Sequence, residues 1–217
     1  MSDPVTRPTR LVLVRHGEAE CNVAKRFGGP LGCSGLSDLG RQQVGRLRDR
    51  LARTGELADA TRLYASTLPR AIETAEILNE ALGLELETDE RVCELHPGEA
   101  DNMTFADYST TYFAEGSAKW RDDPSVPTAP GGESWSGFTA RVVDALHDLT
   151  ERHAGETIVV ACHGGIVDTS MLQLLGMDGA YVPSRFVTEN SSMTEWTRRN
   201  SRWRLVRYND AAHLADL

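Results

Sequence analysis

The sequence predicts an α/β protein: a three-layer α/β/α sandwich with a mostly parallel central sheet and a lid-like insertion at about residues 96–132. Three observations carry this. Apolar runs without alternation, such as RLVLV at 10–14 and TIVVAC at 157–162, suit strands covered on both faces. Between such runs lie segments whose apolar residues recur at helical spacing. Strand and helix patterns then alternate along the chain, which selects a parallel sheet with right-handed crossovers. With 217 residues, 40% of them apolar and 25% charged, residues 1–217 read as one domain with a full core.

RLVLV is the first strand. From Ser37, SDLGRQQVGRLRDRLARTG places Leu39, Val44, Leu47 and Leu51 on one stripe, with Ser37 as N-cap and Gly55 past the end. TRLYAS (61–66) is the second strand, and LPRAIETAEILNEALG (68–83) a helix with Pro69 in its first turn and Gly83 at its stop. LELET (84–88) and RVCEL (91–95) read as short extended segments. Residues 96–132 then break the pattern. Phe105, Tyr108, Tyr112, Phe113 and Trp120 stand there among prolines, glycines and acids, with a helix expected near 104–116; an excursion this long in a compact domain suits a lid over a site. GGESWSGFTARVVDALHDLTERHAG (131–155) resumes strong helical periodicity, opened by Glu133 or Ser134 and ended by Gly155. After the strand at 157–162 comes a helix at 166–176. SMTEWT (192–197) and WRLVRYN (203–209) form a strand pair across a polar turn.

Several function classes are excluded on composition. No apolar run approaches the roughly 20 residues of a membrane span, and MSDPVTRPTR lacks the apolar stretch of a secretory signal, so a cytoplasmic protein is expected. Cysteines at 21, 33, 93 and 162 show no C-x-x-C pair or metal-ligand spacing; reduced, buried thiols are expected. A net charge of −9 argues against nucleic acid, which demands a basic face. A small phosphorylated substrate is compatible with it, because a few arginines set the field inside a pocket. A homodimer is compatible too, although no residue pattern specifies one.

In open parallel sheets, ligands bind beyond the carboxyl ends of the strands. Three buried strands run straight into polar residues there: LVLV into Arg15 and His16, LYAS into the turn before Arg70, and VVAC into His163. Adjacent strands lie about 4.8 Å apart, so two histidines at neighbouring strand ends would reach one small group. Arginine forks suit an oxyanion, and glycines at 17, 164 and 165 would admit backbone N–H groups close to it. Phosphate fits best. Beside Arg15, the charged form of His16 is disfavoured, leaving a neutral imidazole able to act as a nucleophile. A phosphate monoester also needs a proton on its leaving oxygen, and Glu94, Glu99 and Asp101 in ELHPGEAD are the carboxyls at hand.

LVLVRHGEAECN, with STLPRAIETA, CEL, GGES and VVACHGG in that order over about residues 10–195, resembles the histidine phosphatase superfamily, which includes the cofactor-dependent phosphoglycerate mutases and broad-specificity acid-type phosphatases. The resemblance implies that His16 is the nucleophile that forms a phosphohistidine, that Arg15 and Arg70 clamp the phosphate, and that His163 hydrogen-bonds the phosphoryl oxygens. It implies a further phosphate contact at Asn22, beside the one expected of the Gly164 backbone, and it selects Glu94 as general acid and base. No metal or other cofactor is expected, since arginine and histidine supply the charge neutralisation. His96 has no assigned role, and Glu133 belongs to a helix start.

The chain departs from the family pattern in three places. Ala19 stands where a hydroxyl residue is common; Gly98 is followed by Glu99 and Ala100 instead of the usual tryptophan; and CELH replaces the mutases' Glu-Arg-His-Tyr. The expectation is therefore a phosphomonoesterase acting on a small phosphorylated metabolite, with a mutase-type phosphoryl transferase as the alternative. A metallohydrolase lacks any H-x-x-x-H anchor.

Overall fold

In the computed structural model, residues 7–112, 123–177 and 186–217 are described. Strands β1 (Thr9–Arg15), β2 (Ala60–Ala65), β3 (Leu86–Thr88), β4 (Thr157–Cys162), β5 (Met193–Arg199) and β6 (Arg202–Asp210) form one sheet in the order β3-β2-β4-β1-β5-β6. The pairs among β3, β2, β4 and β1 are parallel, and β5 and β6 extend the β1 edge antiparallel. Helices among the described residues are α1 (Glu20–Val23), α2 (Asp38–Thr54), α3 (Pro69–Leu82), α4 (Phe105–Tyr112), α5 (Trp135–Arg152) and α6 (Gly164–Leu174). None of the described helices is long and apolar enough to cross a membrane.

Non-alternating strands form because both sheet faces are covered. Leu11, Leu13, Ile158 and Val160 pack with Phe138, Val142 and Leu146 of α5 and Ile166 of α6. Their neighbours Val12, Val14, Val159 and Ala161 face the other way, onto Val44 and Leu47 of α2 and Leu78 of α3. All of these are fully buried, and each large one stabilises the fold by about 1.5–3 kcal/mol. Ser37 caps α2 by accepting from Gly40 N, and α2 and α3 end at Gly55 and Gly83 in the left-handed conformation, with φ of 65° and 64°.

Two local expectations are corrected. Leu39 is 41% exposed: it lies five residues before Val44, off the stripe continued by Leu47 and Leu51. RVCEL is not extended throughout. Asp89 accepts from Arg91 N and opens a 3₁₀ turn at Glu90–Val92, and extended backbone begins only at Cys93. In the insertion, α4 is described from Phe105 to Tyr112, and its Tyr108 donates to Thr128 O at 2.7 Å, joining the two described limbs. Phe113 and Trp120, and the end of the helix expected at 116, lie outside the described residues.

Candidate active site

The parallel register of β1 on β4 sets Arg15 opposite Cys162, so the next residues, His16 and His163, leave the sheet side by side. Their ring centroids lie 5.1 Å apart with planes at 61°. Both are buried. His16 is fixed through its backbone as well: its N–H donates to Cys162 O, and its carbonyl accepts from Ser191 N and from Asn190 Nδ2.

The contacts of the His16 ring assign its tautomer. His16 Nδ1 lies 2.6 Å from Gly17 O, an obligate acceptor, so Nδ1 carries the proton. Its Nε2 lone pair then faces Arg70 Nε at 3.0 Å. Burial, then Arg70, then Arg15 hold the His16 pKa well below the ordinary histidine value; the ring is neutral at pH 7. His163 is also held well below, by burial first and then by Arg70, His16 and Arg15. Ser66 Oγ accepts from Leu68 N at 3.2 Å and lies 2.7 Å from His163 Nε2 and 3.1 Å from Cys93 Sγ, which fixes the His163 ring in place.

The arginines are held without being neutralised. Arg70, in the first turn of α3, donates to Gly28 O at 2.6 Å, and Arg15 donates to Thr188 O. Neither forms a salt bridge among the described residues. Burial lowers the Arg15 pKa, against the opposing pull of Glu94, Glu189 and Asp168. Arg15 Nε and His163 Nδ1 are buried polar atoms with no hydrogen-bond partner among the described residues, an arrangement that costs about 1–3 kcal/mol per group unless something pairs with it.

Of the three candidate acids, the structure brings Glu94 to this place. Its Oε1 accepts from Leu95 N at 2.9 Å and its Oε2 from Gly165 N at 3.0 Å, in the first turn of α6. A Cβ on Gly165 would stand 2.2 Å from Glu94 Oε1, so the Glu94 side chain itself requires glycine there. Asp101 is occupied by the N–H groups of Gly29, Leu31 and Gly32, and Glu99 is exposed, outside the cavity lining. A cavity of about 560 Å³ is lined by Arg15, His16, Asn22, Arg70, Glu94 and Gly164, with Phe27, Phe105, Tyr108, Trp135 and Phe186 as its apolar wall. Asn22 is exposed, with Oδ1 accepting from Ala19 N at 3.1 Å. Gly17 serves packing instead of ligand approach: its N–H donates to Thr74 Oγ1, and a Cβ there would meet Gly40 O at 2.5 Å. His96 is exposed and Glu133 pairs with Arg141 at 2.6 Å.

Three residues of the site went unassigned in the sequence. Ser66 follows a buried strand just as His16 and His163 do, and that position is its signal. Arg141 on α5 donates to the carbonyls of Arg91 and Cys93 at 2.7 and 3.0 Å, fixing the chain that leads to Glu94; periodicity marks α5 but gives no hint of this reach. Asp168, in α6, also lines the cavity. All four cysteines are buried and free. No group of three or more His, Cys, Asp or Glu side chains suited to a metal ion occurs among the described residues.

The chain is similar to known proteins over most of its length. The chain is 36% identical over 162 residues to phosphoglycerate mutase-like protein 4 of Arabidopsis thaliana, covering 72% of this chain and 67% of that one. It is 31% identical over 230 residues to the glucosyl-3-phosphoglycerate phosphatase of Mycolicibacterium vanbaalenii, covering 97% and 98%. Against a set of longer mycobacterial relatives, 34% identical over 171 residues, it spans 45% of their length. Among solved structures, Bacillus stearothermophilus YhfR superposes with a TM-score of 0.83 at 28% identity, covering 95% of this chain and 99% of that one. With residues 11–211 matching its branch 1, the chain belongs to the histidine phosphatase superfamily.

Proposed function

We propose that the chain, a hydrolase of phosphoric monoesters by family and by full-length likeness, cleaves a small phosphorylated metabolite through a phosphohistidine on His16. One observation supports this above the rest: the His16 Nε2 lone pair, which accepts from Arg70 Nε, stands among two guanidiniums that have no carboxylate partner among the described residues, and Arg15 Nε and His163 Nδ1 are buried there without hydrogen-bond partners. A phosphoryl group supplies acceptor oxygens for the guanidiniums, and a transition state with charge spread over its oxygens accepts more strongly still.

In the first step Nε2 attacks phosphorus, the N–P bond forms and the ester P–O bond breaks. Arg70 Nε transfers its hydrogen bond from Nε2 to a phosphoryl oxygen. The leaving oxygen takes the bonding pair and a proton from the Glu94 carboxyl. Glu94, now carboxylate, draws a proton from water as that water attacks phosphorus, and the N–P bond breaks to release phosphate and neutral His16. The aromatic wall and the volume of the cavity suit an alcohol portion larger than the phosphate itself, in keeping with the glucosyl-3-phosphoglycerate named for the mycolicibacterial relative.

The test is a rapid quench, without acid, of the protein incubated with a ³²P-labelled ester. Label that stays on the protein, is released by acid and is absent in His16→Ala is the expected result. Turnover with no such label, or label persisting in His16→Ala, overturns the proposal. Phosphoryl transfer between positions of phosphoglycerate without phosphate release would replace hydrolysis by the mutase alternative.

A further inference from the structure

A second cavity, of about 440 Å³, is lined by Pro8, Thr197, Arg199, Asn200, Arg202 and Arg204. It lies where β1 begins, about 20 Å along that strand from His16, at the turn of the β5–β6 hairpin. Register puts its arginines on one sheet face: Arg199 pairs with Arg202 and Thr197 with Arg204. Side chains directly opposite on antiparallel strands have Cβ atoms about 4.5–5.5 Å apart, and like charges so placed repel. The neighbouring arginines have found acids. Arg198, on the reverse face, pairs with Glu151 at 2.8 Å, Arg62 with Glu156 at 3.1 Å, and Arg10 and Arg207 share Glu195 at 2.9 and 2.8 Å. Among the described residues, Arg199, Arg202 and Arg204 have no carboxylate partner and no acid lines the cavity.

We infer that this cavity is a second, non-catalytic anion site that takes a small oligophosphate, a ligand with two or three linked phosphates. The cavity is larger than one orthophosphate, and three guanidinium charges without carboxylate partners among the described residues exceed the roughly two negative charges that one orthophosphate carries near neutral pH. Size is limited from above by charge. The chain carries −9 in total, which repels an extended polyanion, while a compact ligand within a Debye length of about 8 Å feels chiefly the local arginines. Thr197 and Asn200 add neutral hydrogen-bonding groups at the rim.

Titration calorimetry of the full chain with inorganic tripolyphosphate tests this, using three proteins so that binding at His16 is told apart from binding here. A saturable heat kept in Arg70→Ala, weakened at least tenfold in Arg199→Gln/Arg204→Gln, and declining as salt rises is expected. The three cavity arginines are exposed, so the double variant should fold and hydrolyse an aryl phosphate within twofold of the parent; Arg202→Gln serves as a milder second variant and should weaken binding in the same sense. Heat lost in Arg70→Ala yet kept in the double variant overturns the inference. So does orthophosphate binding as tightly as tripolyphosphate, or a short RNA binding where tripolyphosphate does not.

Discussion

Two sets of charges flank β1, and they are treated in opposite ways. On the sheet face beside the end of α2, Glu195 lies between Arg10 and Arg207, and Asp210 and Glu56 between Arg207 and Arg50, so that each carboxylate meets two guanidiniums within about 3 Å. In the cavity at the carboxyl strand ends, Arg15 and Arg70 are anchored by carbonyl oxygens, and Glu94 by backbone N–H groups. Dipoles hold a charge in place without cancelling it. The first set spends its field internally and contributes to the fold; the second keeps its field for an incoming ligand, at a cost in stability that folding tolerates.

The largest expected effect comes from exchanging one carboxyl in each set. Glu94→Gln should lower kcat for an alkyl phosphate about 10²- to 10⁴-fold and have far less effect on an aryl phosphate, whose leaving group needs no proton. Glu195→Gln should leave both rates unchanged. Equal slowing of both esters by Glu94→Gln would move the acid role elsewhere. Next in size, Arg70→Ala should reduce kcat/KM about 10²- to 10³-fold, the loss of one strong charge-stabilising contact, and Arg70→Lys should recover little because a lysine lacks the planar fork that reaches both His16 and Gly28. Steady-state kinetics on the two ester classes reads all four variants.

How much of this was legible beforehand follows the physics of range. Caps, stops and buried strands are local, and Ser37, Gly55, Pro69 and Gly83 stood where the sequence placed them. His16 and His163 could be paired because parallel register is a strong constraint on strand ends, although 147 positions separate them. The occupation of Asp101 could not be read, since its three donors come from a loop some seventy residues earlier whose path no periodicity encodes. The reach of Arg141 to the carbonyls before Glu94, and the ion network of Glu195, were hidden for the same reason: long side chains choose partners in space. RVCEL looked extended because a β-branched residue beside apolar ones reads as a strand, whereas an Asp89 turn two residues earlier decided the local hydrogen bonds.

The two sets also titrate apart, which gives a stability measurement of intermediate size. Burial and the adjacent arginines hold His16 and His163 below their ordinary value, and burial first brings His213 to about 4. Below about pH 6.5 the unfolded chain binds protons that the folded chain refuses, so the histidines remove stability as pH falls from about 7, by up to about 1.4 kcal/mol per pH unit for each ring. Asp210, Glu56 and Asp59 have lowered pKa values, Asp210 chiefly through its hydrogen bond to Arg50; their contribution is present above the ordinary carboxylate range and is lost as pH falls through it. Urea midpoints should therefore decline in two stages, and His163→Asn should flatten the stage between pH 7 and 5 alone. A single decline starting below pH 4 would mean that the paired rings take up protons without penalty.

The smallest effect tests the network by itself. Arg207→Met removes the guanidinium shared by Glu195, Glu56 and Asp210, while the methionine keeps most of the apolar stem over the sheet. Arg207 is 23% exposed and Glu195 5%, so the pair lies between the surface case, worth about 0–1 kcal/mol, and the fully buried case, where stranding a carboxylate costs about 3–5 kcal/mol. Arg10 still reaches Glu195 and Arg50 still reaches Asp210, so no acid is left bare. A loss of about 1–2 kcal/mol in unfolding free energy follows, with kcat/KM for an aryl phosphate unchanged, because β6 pairs with β5 alone and β5 meets β1 only from its antiparallel side. A fall in turnover larger than the fall in folded population would show that this edge of the sheet steers His16, and that the two sets of charges are coupled through β1 instead of independent.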